Sequence, residues 1–299
     1  MSNDKSLDIG ILKEGIIFVK TLIVNAPAKI NLCLHVLGRR LDGYHELAMA
    51  MQRIDLADRL EISLEDGEGV EVACDGLDLG DGENIASKAA RLFLTAAKIR
   101  KRVSIQIDKQ VPVAAGLGGG SSDAAAVLSG LNSLCGKPLE QEHLMVLAAE
   151  LGSDVPFFLF ERPAWATGTG TQLEALSPLP EVWYLLLNPG FAVSTDWVYR
   201  TLQLTKGGEL ANLPRFSVAT TGELLDALHN DLERVTAGRY PEIDEMKNFL
   251  LQNGALGALM SGSGASVFGV FANRAAAEDA HALVPSESSW RSFVTQPLQ

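Results

Sequence analysis

The sequence predicts a two-domain protein that mixes strands and helices, and three observations support this prediction. Apolar, β-rich runs dominate residues 16–37, as in buried strands. Residues 85–151 contain three runs with the apolar spacing of packed helices. After Phe160 the helical patterns give way to a turn-rich segment at 166–171. A chain of 299 residues is long enough for two domains, so we place a boundary near residue 166.

The individual elements follow from the same patterns. Residues 1–15 have weak patterning and are predicted to be an N-terminal extension, so the predicted domains cover 16–166 and 167–299. A turn at 66–69 joins two short alternating runs and predicts a β-hairpin. The predicted strands are 16–24, 30–37, 60–64, 70–73, 103–109, 183–187, 258–260 and 266–271, and the predicted helices are 85–99, 121–134, 140–151, 221–229, 241–251 and 274–283. Asn84 is predicted to cap the first of these helices.

Composition and charge exclude several classes of function. The formal net charge of −12 repels a nucleic-acid backbone and an anionic membrane surface. No apolar run reaches the ~18 residues of a membrane span, and the N-terminus lacks the apolar core of a secretory signal. We therefore expect a cytoplasmic protein that binds neither nucleic acid nor membrane. Its oligomeric state is left open.

The cysteines and histidines predict reduced thiols and no structural zinc site. The three cysteines are odd in number and far apart, which is typical of a cytoplasmic protein without disulfides. No CxxC motif or His/Cys cluster has metal-ligand spacing. Three histidines in or near predicted helices have no such neighbours and are interpreted as surface or satisfied residues: His143, His229 and His281.

A glycine-rich segment, Pro112–Ser122, lies between an alternating strand and a strongly helical run. Glycines at 116 and 118–120 permit φ > 0 and let the backbone approach a ligand closely. Successive N–H groups and the N-terminus of the following helix can then bind a phosphate. Ser121 and Ser122 add hydroxyls for phosphate oxygens or for a magnesium shell. The alternative is a flexible loop, which would need fewer glycines and serines.

Three familiar nucleotide-binding motifs do not match this segment. A Walker loop ends in Gly-Lys-Ser/Thr, whereas Ser121-Ser-Asp123 follows the glycines here. The Rossmann fingerprint needs a small Gly or Ala where Ser121 stands. The lysine and catalytic-loop signatures of protein kinases are absent from the sequence.

The segment resembles the phosphate loop of the GHMP kinases, which phosphorylate small alcohols and acids. Two further segments, 26–32 and 260–266, resemble the same family in the right order, so the similarity rests on three motifs. One departure is that Ala114 and Ala115 stand where many relatives carry glycines. The resemblance implies that the following residues bind ATP, with magnesium required: Pro112, Val113, Ala114, Ala115, Gly116, Leu117, Gly118, Gly119, Gly120, Ser121 and Ser122.

Finer features resemble one branch of that family. Segments 41–47 and 152–157 resemble the kinases that phosphorylate a cytidine diphosphate-linked methylerythritol in the non-mevalonate route to isoprenoid precursors. The resemblance implies an α+β fold of two domains with the active site in the cleft between them. The N-terminal domain is expected to resemble domain 2 of ribosomal protein S5, and the C-terminal domain a ferredoxin-like sandwich.

The resemblance also implies roles for individual residues. Asp154 is similar to the family's catalytic base, and Lys29 to the cation that keeps it ionised and stabilises developing charge. By spacing alone, Asp154 would be a turn residue that caps backbone and Lys29 a solvated lysine. The residues that bind magnesium are unknown. Residues expected to bind the substrate are Asn31, Tyr44, His45, Thr195, Tyr199, Gly262, Ser263 and Gly264, with Trp197 as a competitor of Tyr199.

Two other functions stay open at this point. The first is another GHMP kinase that acts on homoserine or mevalonate. These substrates contain no nucleobase, so the pair Tyr44-His45 would have nothing to stack on and argues against this function. The second is a regulator that binds nucleotide without catalysis. The presence of both Lys29 and Asp154 argues against this second function.

Overall fold

The computed structural model describes residues 7–10, 19–74, 84–202 and 215–298. The chain forms two compact units that alternate along the sequence. The first unit comprises Met1–Pro27, Ala57–Val111 and Gly119–Phe160, and the second comprises Ala28–Leu56, Pro112–Gly118 and Glu161–Gln299. These units follow contacts and not chain order, so the predicted division at residue 166 stays a prediction.

Strands and helices occur in both units. The described strands are β1 (Leu7–Gly10), β2 (Val19–Arg39), β3 (His45–Glu65), β4 (Gly69–Cys74), β5 (Arg102–Asp108), β6 (Ala164–Gly168), β7 (Gln172–Ala175), β8 (Trp183–Asn188), β9 (His229–Asn230), β10 (Gly257–Met260), β11 (Val267–Phe271) and β12 (Arg291–Thr295). The described helices are α1 (Ile85–Ala97), α2 (Gly119–Leu134), α3 (Gln141–Leu151), α4 (Val155–Phe160), α5 (Thr195–Thr201), α6 (Thr221–Ala227), α7 (Glu233–Ala237), α8 (Glu242–Gln252) and α9 (Arg274–Ala282). None of these helices is long and apolar enough to cross a membrane.

The strand order of the first unit corrects the predicted hairpin. β5 lies between β3 and β4, antiparallel to β3 and parallel to β4. The two runs predicted to pair across the turn at 66–69 are therefore separated by a third strand. Local alternation predicts that each run is a strand, but it carries no information about which neighbour a strand selects. The hairpin prediction was wrong for this reason.

A cap on α1 and a glycine on α2 are two local features that shape the helices of the first unit. Asn84 caps α1 as predicted, accepting a hydrogen bond from the N–H of Ala86 at 2.7 Å. On α2, a Cβ at Gly130 would lie 2.7 Å from the Cδ1 atom of Ile62 on β3. The absence of a side chain at Gly130 therefore allows this helix to lie close against the sheet.

A buried ion cluster fixes the strand end that leads to the glycine-rich segment. Lys109 donates to Asp58 and to Asp123, both at 2.6 Å, and the Asp58 side chain is fully buried. Asp58 also accepts from the backbone N–H groups of Gln110 and Val111, at 2.7 and 2.8 Å. Burial alone would lower the pKa of Lys109, but the two carboxylates outweigh it and raise that pKa. Lys109 therefore stays charged and links β5, β3 and α2.

The second unit contains a four-stranded sheet whose two central strands, β8 and β11, are buried along most of their length. In this antiparallel sheet the described strands have the order β10-β11-β8-β12. Every residue of β11 is buried, as are residues 184–188 of β8. Tyr184 and Phe268 meet edge to face, with their ring centroids 5.6 Å apart. Burial on both faces explains why these strands read as continuous apolar runs.

Several predicted elements differ in extent from the structure. The runs 16–24 and 30–37 belong to one strand, β2, whose described part begins at Val19 and which continues through Pro27; residues 16–18 lie outside the described residues. Proline is compatible with extended backbone, so the separating segment did not mark a turn. Several elements were missed, among them most of β3, α4, α5, α7, the β6–β7 pair, β9 and the late strand β12.

We expect Lys109→Met to lower the free energy of unfolding by about 3–5 kcal/mol, measured by chemical denaturation. The substitution leaves two buried carboxylates without their cation, which is more costly than the loss of the ion pair itself. Lys101→Met is the matched control, because Lys101 pairs with Asp66 at the surface, where the pair is worth at most about 1 kcal/mol.

A second substitution identifies the cause of the loss. Adding Asp123→Asn to Lys109→Met removes one unpaired carboxylate and should restore part of the stability. If the double variant is no more stable than the single one, the effect comes from packing and not from buried charge.

Candidate active site

The backbone of the glycine-rich segment has the geometry of an anion-binding nest. Ala114, Gly116 and Gly118 have positive φ values of 51°, 78° and 69°, and they alternate with residues whose φ is negative. Alternation of this kind points successive N–H groups toward one concave side, where they bind anions. A loop that was merely flexible would not need this alternation. This pattern of φ values is compatible with the predicted phosphate loop, whose binding of phosphate stays a prediction.

Side-chain burial follows the same alternation along the segment. Leu117 and Ala115 anchor the loop in the second unit, at 1% and 2% exposure, whereas Val113 is 53% exposed. Of the remaining predicted ATP-binding residues, Pro112, Gly119 and Ser122 are buried, Ala114 and Gly120 are exposed, and Gly116, Gly118 and Ser121 are half-buried.

Hydrogen bonds to the carbonyl oxygens hold this loop in place. The N–H of Lys29 donates to Leu117 at 2.9 Å, the hydroxyl of Ser261 to Gly116 at 3.0 Å, and the N–H of Ser266 to Ala115 at 3.1 Å. A Cβ at Gly116 would lie 2.1 Å from the carbonyl oxygen of Ser261, so a side chain cannot fit there. These bonds keep acceptor oxygens turned toward the protein and away from an anionic ligand.

The first turn of α2 in the first unit contains two buried polar atoms that suit a ligand. The hydroxyl of Ser122 and the Oδ1 atom of Asp123 have no hydrogen-bond partner among the described residues. Burial raises the pKa of Asp123 to about 7, although the neighbouring Lys109 opposes that shift. Buried polar atoms without partners are rare in folded proteins and indicate an absent water, ion or ligand.

Lys29 and Asn31 occupy the buried part of β2 in the second unit. Lys29 is 5% exposed, and its ammonium donates to the Oδ1 atom of Asn31 at 2.6 Å. The N–H of Asn31 donates to the hydroxyl of Ser261 at 3.3 Å, and its amide contacts the sulfur of Met49. A buried lysine costs free energy, so its retention beside a polar side chain indicates a role for the charge.

Asp154 immediately precedes α4 in the first unit. It is half-buried, and the turn in which it lies is closed by a hydrogen bond from the N–H of Val155 to Gly152 at 3.1 Å. This turn holds the carboxylate at the end of a short, buried helix. Asp154 and Lys29 belong to different units, and their joint role stays a prediction.

In the second unit, the structure brings together two of the aromatic and imidazole residues predicted to bind the base. The rings of His45 and Tyr199 stack with centroids 4.9 Å apart, while Tyr44 is 62% exposed. The pKa of His45 lies below 6.5 because burial penalises the imidazolium, and Arg39 adds repulsion. A neutral imidazole has one donor and one acceptor, which suits the polar edge of a nucleobase.

Tyr199 and Trp197 have different neighbours in the structure. Trp197 meets Tyr240 edge to face at 6.2 Å, and the guanidinium of Arg239 lies 4.6 Å from the indole centroid. Trp197 is therefore engaged in a packing cluster, whereas Tyr199 lies against His45. Both residues are on the short helix α5, two positions apart, and so point in different directions.

The second glycine loop, Gly262–Gly264, is held from several sides. The hydroxyls of Ser263 and Thr195 lie 2.8 Å apart, and Thr236 donates to the Ser263 carbonyl at 3.0 Å. Asn230 donates to the carbonyl of Gly262 at 2.8 Å. Thr195, predicted to bind the substrate, thus lies beside the loop that carries the same prediction.

The chain matches two family models, one for the N-terminal domain of GHMP kinases over residues 84–162 and one for their C-terminal domain over 210–286. A 4-diphosphocytidyl-2-C-methyl-D-erythritol kinase from Syntrophotalea carbinolica is 54% identical over 274 residues, covering 91% of this chain and 98% of that protein. The chain belongs to the 4-diphosphocytidyl-2-C-methyl-D-erythritol kinase family. A member of this family from Pelobacter propionicus is 49% identical over 94% of this chain and the whole of that protein.

Solved structures agree with this membership. The crystal structure of a 4-(cytidine 5'-diphospho)-2C-methyl-D-erythritol kinase matches with a TM-score of 0.78 and 36% identity, covering 93% of this chain and 99% of that one. A homoserine kinase from Cytophaga hutchinsonii shares the fold, with a TM-score of 0.69 and 18% identity, over 98% of each chain. The GHMP kinase fold predicted from the motifs is confirmed.

Two side-chain clusters of this protein were not predicted from its sequence. Lys109 and Asp58 carry no motif, and only the pairing of β3 with β5 brings them together. His229 is exposed and hydrogen-bonded to Asp231, as its interpretation as a surface or satisfied residue expects, but its stacking on His35 at a centroid distance of 4.5 Å was not predicted. The contacts arise from strand pairing between distant segments, for which spacing along the chain is no guide.

We expect Ala114→Gly to raise the free energy of unfolding by about 0.5–1 kcal/mol, measured by chemical denaturation. Left-handed backbone costs an alanine roughly 1–2 kcal/mol, and glycine adopts it freely. The gain is smaller than that cost because glycine also makes the unfolded chain more flexible.

The neighbouring alanine is the matched control for this measurement. Ala115 has a negative φ and is 2% exposed, so Ala115→Gly should lower the free energy of unfolding by about 1 kcal/mol. Equal losses in the two variants would show that position 114 carries no backbone strain.

Proposed function

We propose that this protein transfers the γ-phosphoryl group of ATP to the 2-hydroxyl of 4-diphosphocytidyl-2-C-methyl-D-erythritol, in the non-mevalonate route to isoprenoid precursors. The observation that carries the proposal is 54% identity to a kinase of that name across 98% of its length. None of the three cysteines forms a disulfide in the part of the chain that the structure describes, which agrees with action in the cytoplasm. Burial raises the pKa of the Cys33 thiol to about 12, so this thiol stays protonated and unreactive.

In this proposal, the nest at 114–118 binds the phosphates of ATP through backbone N–H groups. The hydroxyl of Ser122 and the free oxygen of Asp123 then receive partners that they lack among the described residues. Both atoms are oxygens, which suits Mg²⁺ directly or through its waters. Magnesium, when bound, neutralises charge on the phosphate oxygens during transfer.

The chain's own acid and cation carry out the remaining chemistry. We assign Asp154 as the base that accepts the proton of the attacking 2-hydroxyl as the oxygen–phosphorus bond forms and ADP leaves. Lys29 supplies positive charge that favours the carboxylate form of such a base and stabilises the developing negative charge. Its burial, at 5% exposure, strengthens that electrostatic effect.

The cytidine end of the substrate is assigned to Tyr44, His45 and Tyr199. Because the His45 and Tyr199 rings are stacked 4.9 Å apart, a base must either stack on an outer face of the pair or separate the rings. Tyr44 is exposed and offers a second face. Asn31, Thr195 and the Gly262–Gly264 loop are proposed to position the rest of the substrate.

A comparison of acceptor alcohols tests this function. Purified protein with ATP and Mg²⁺ should release ADP with 4-diphosphocytidyl-2-C-methyl-D-erythritol in a coupled assay, and should not do so with homoserine or mevalonate. Those smaller substrates lack the base that the aromatic residues bind. Turnover of homoserine or mevalonate alone would contradict the proposed substrate.

Two variants of α5 serve as the control for base recognition. Tyr199→Ala should raise KM for the cytidine substrate about 10-fold, since stacking of a base on an aromatic ring is worth roughly 1–3 kcal/mol. Trp197→Ala removes a ring that packs on Tyr240 and Arg239, and should leave that KM within about 2-fold. The reverse result would assign the base to Trp197.

We expect Asp154→Asn to lower kcat by about 10²–10⁴-fold while KM for ATP changes little, measured by steady-state kinetics. An amide cannot accept the proton, and general bases contribute rate factors of roughly this size. Asp279→Asn, on the exposed face of α9, is the matched control and should retain full activity. Near-normal turnover of Asp154→Asn would mean that another group is the base.

A further inference from the structure

A cluster of two histidines and one aspartate lies in the second unit, where β2 and β9 run parallel. The register pairs Cys33 with His229, and His35 follows two residues later on the same face of β2. The rings of His35 and His229 are nearly parallel, with 17° between their planes and 4.5 Å between centroids. Asp231, just beyond β9, completes the group.

The carboxylate of Asp231 is oriented by the backbone. Its Oδ2 atom accepts a hydrogen bond from the N–H of Val36 at 2.7 Å, which fixes the direction of the side chain. Its Oδ1 atom lies 2.7 Å from Nε2 of His229, and these two atoms form a hydrogen bond. Carboxylates held in this way by a second bond are typical of metal ligands.

We propose that His35, His229 and Asp231 form a binding site for a zinc ion. One ligand atom from each residue lies within 4.8 Å of the other two. A tetrahedral zinc ion with bonds of about 2.0–2.1 Å needs ligand atoms about 3.4 Å apart. Because an imidazole binds a metal through a nitrogen lone pair in the plane of its ring, at least one of the two stacked rings must turn out of the stack to reach a common ion. The ion takes the place of the proton between His229 and Asp231, and water fills the fourth position. Imidazole and carboxylate suit zinc better than magnesium.

The surroundings of the cluster favour a cation and allow it to enter. The His229 and Asp231 side chains are 47% and 34% exposed, which gives a path from solvent. Glu233 adds negative potential at His229, and the whole chain has a net charge of −12. The site thus has three ligands, one bond that orients a ligand, and an open side.

Zinc at this site would fix a segment that supports the second glycine loop. Asn230 lies between two of the ligands and donates to the carbonyl oxygens of Met260 and Gly262, both at 2.8 Å. The N–H of Asp231 also donates to Leu34 on β2 at 3.0 Å. The segment after β9 is already linked to β2 by this main-chain bond and by the bond from the Val36 N–H to the Asp231 side chain. Ion binding adds a link through the metal and is expected to stabilise the folded chain.

Zinc binding to the whole protein tests this proposal without nucleotide or substrate, so its outcome is independent of the proposed kinase activity. Protein freed of metal is titrated with zinc sulfate against a chromophoric chelator. We expect one tightly bound zinc ion per chain, and cobalt(II) in its place should show the visible absorption of tetrahedral coordination. Thermal unfolding should shift upward by about 2–4 °C at saturating zinc.

Three variants distinguish this site from scattered surface histidines. His35→Phe keeps a ring for stacking, and Asp231→Asn keeps an oxygen for the Val36 N–H, so both should fold while zinc affinity falls at least 10-fold. His281→Gln removes an exposed histidine of α9 and should bind zinc as the unaltered chain does. Equal affinity in all variants, or no stoichiometric binding by the unaltered chain, would overturn the proposal.

Discussion

The fixed backbone of the segment from Ala114 to Leu117 is the constraint on which the second unit depends. Its carbonyl oxygens accept bonds from Lys29, Ser261 and Ser266, residues that are remote in sequence. Because Gly116 lies against the Ser261 carbonyl, the two glycine loops approach as closely as backbone atoms allow. The same contacts place Asn31 beside Ser261. Hydrogen bonds to the carbonyl oxygens of one segment thus order the predicted phosphate loop, the part of β2 that carries Lys29, and the second glycine loop together.

Buried charge serves a different purpose in each unit. In the first unit, Lys109 joins Asp58 and Asp123, so the cluster fixes the strand end and the first turn of α2. In the second unit, the buried Lys29 donates to the neutral amide of Asn31, and we propose that its charge acts in the phosphoryl transfer. A protein with net charge −12 can therefore bind an anionic nucleotide, because its local positive groups are main-chain amides and a few buried cations.

Local patterns predicted elements well and their partners poorly. The Asn84 cap, the strand 103–109 and the helix 274–283 appear in the structure within one or two residues of their predicted ends. The hairpin at 66–69 failed because β5 enters between its two strands. Likewise, β12 was missed because its five residues do not alternate clearly between apolar and polar side chains. Only its pairing with β8 makes this segment a strand.

The sequence by itself determined the family, the phosphate loop and the residue types available for catalysis, because these are encoded in short contiguous motifs such as Gly116-Leu-Gly-Gly-Gly120. Tertiary structure alone decided that Ala114 is left-handed, that Tyr199 and not Trp197 faces His45, and that His35 meets His229. The physical reason is that strand register and side-chain direction depend on contacts between segments about 30 to 200 residues apart, and no local periodicity specifies those contacts.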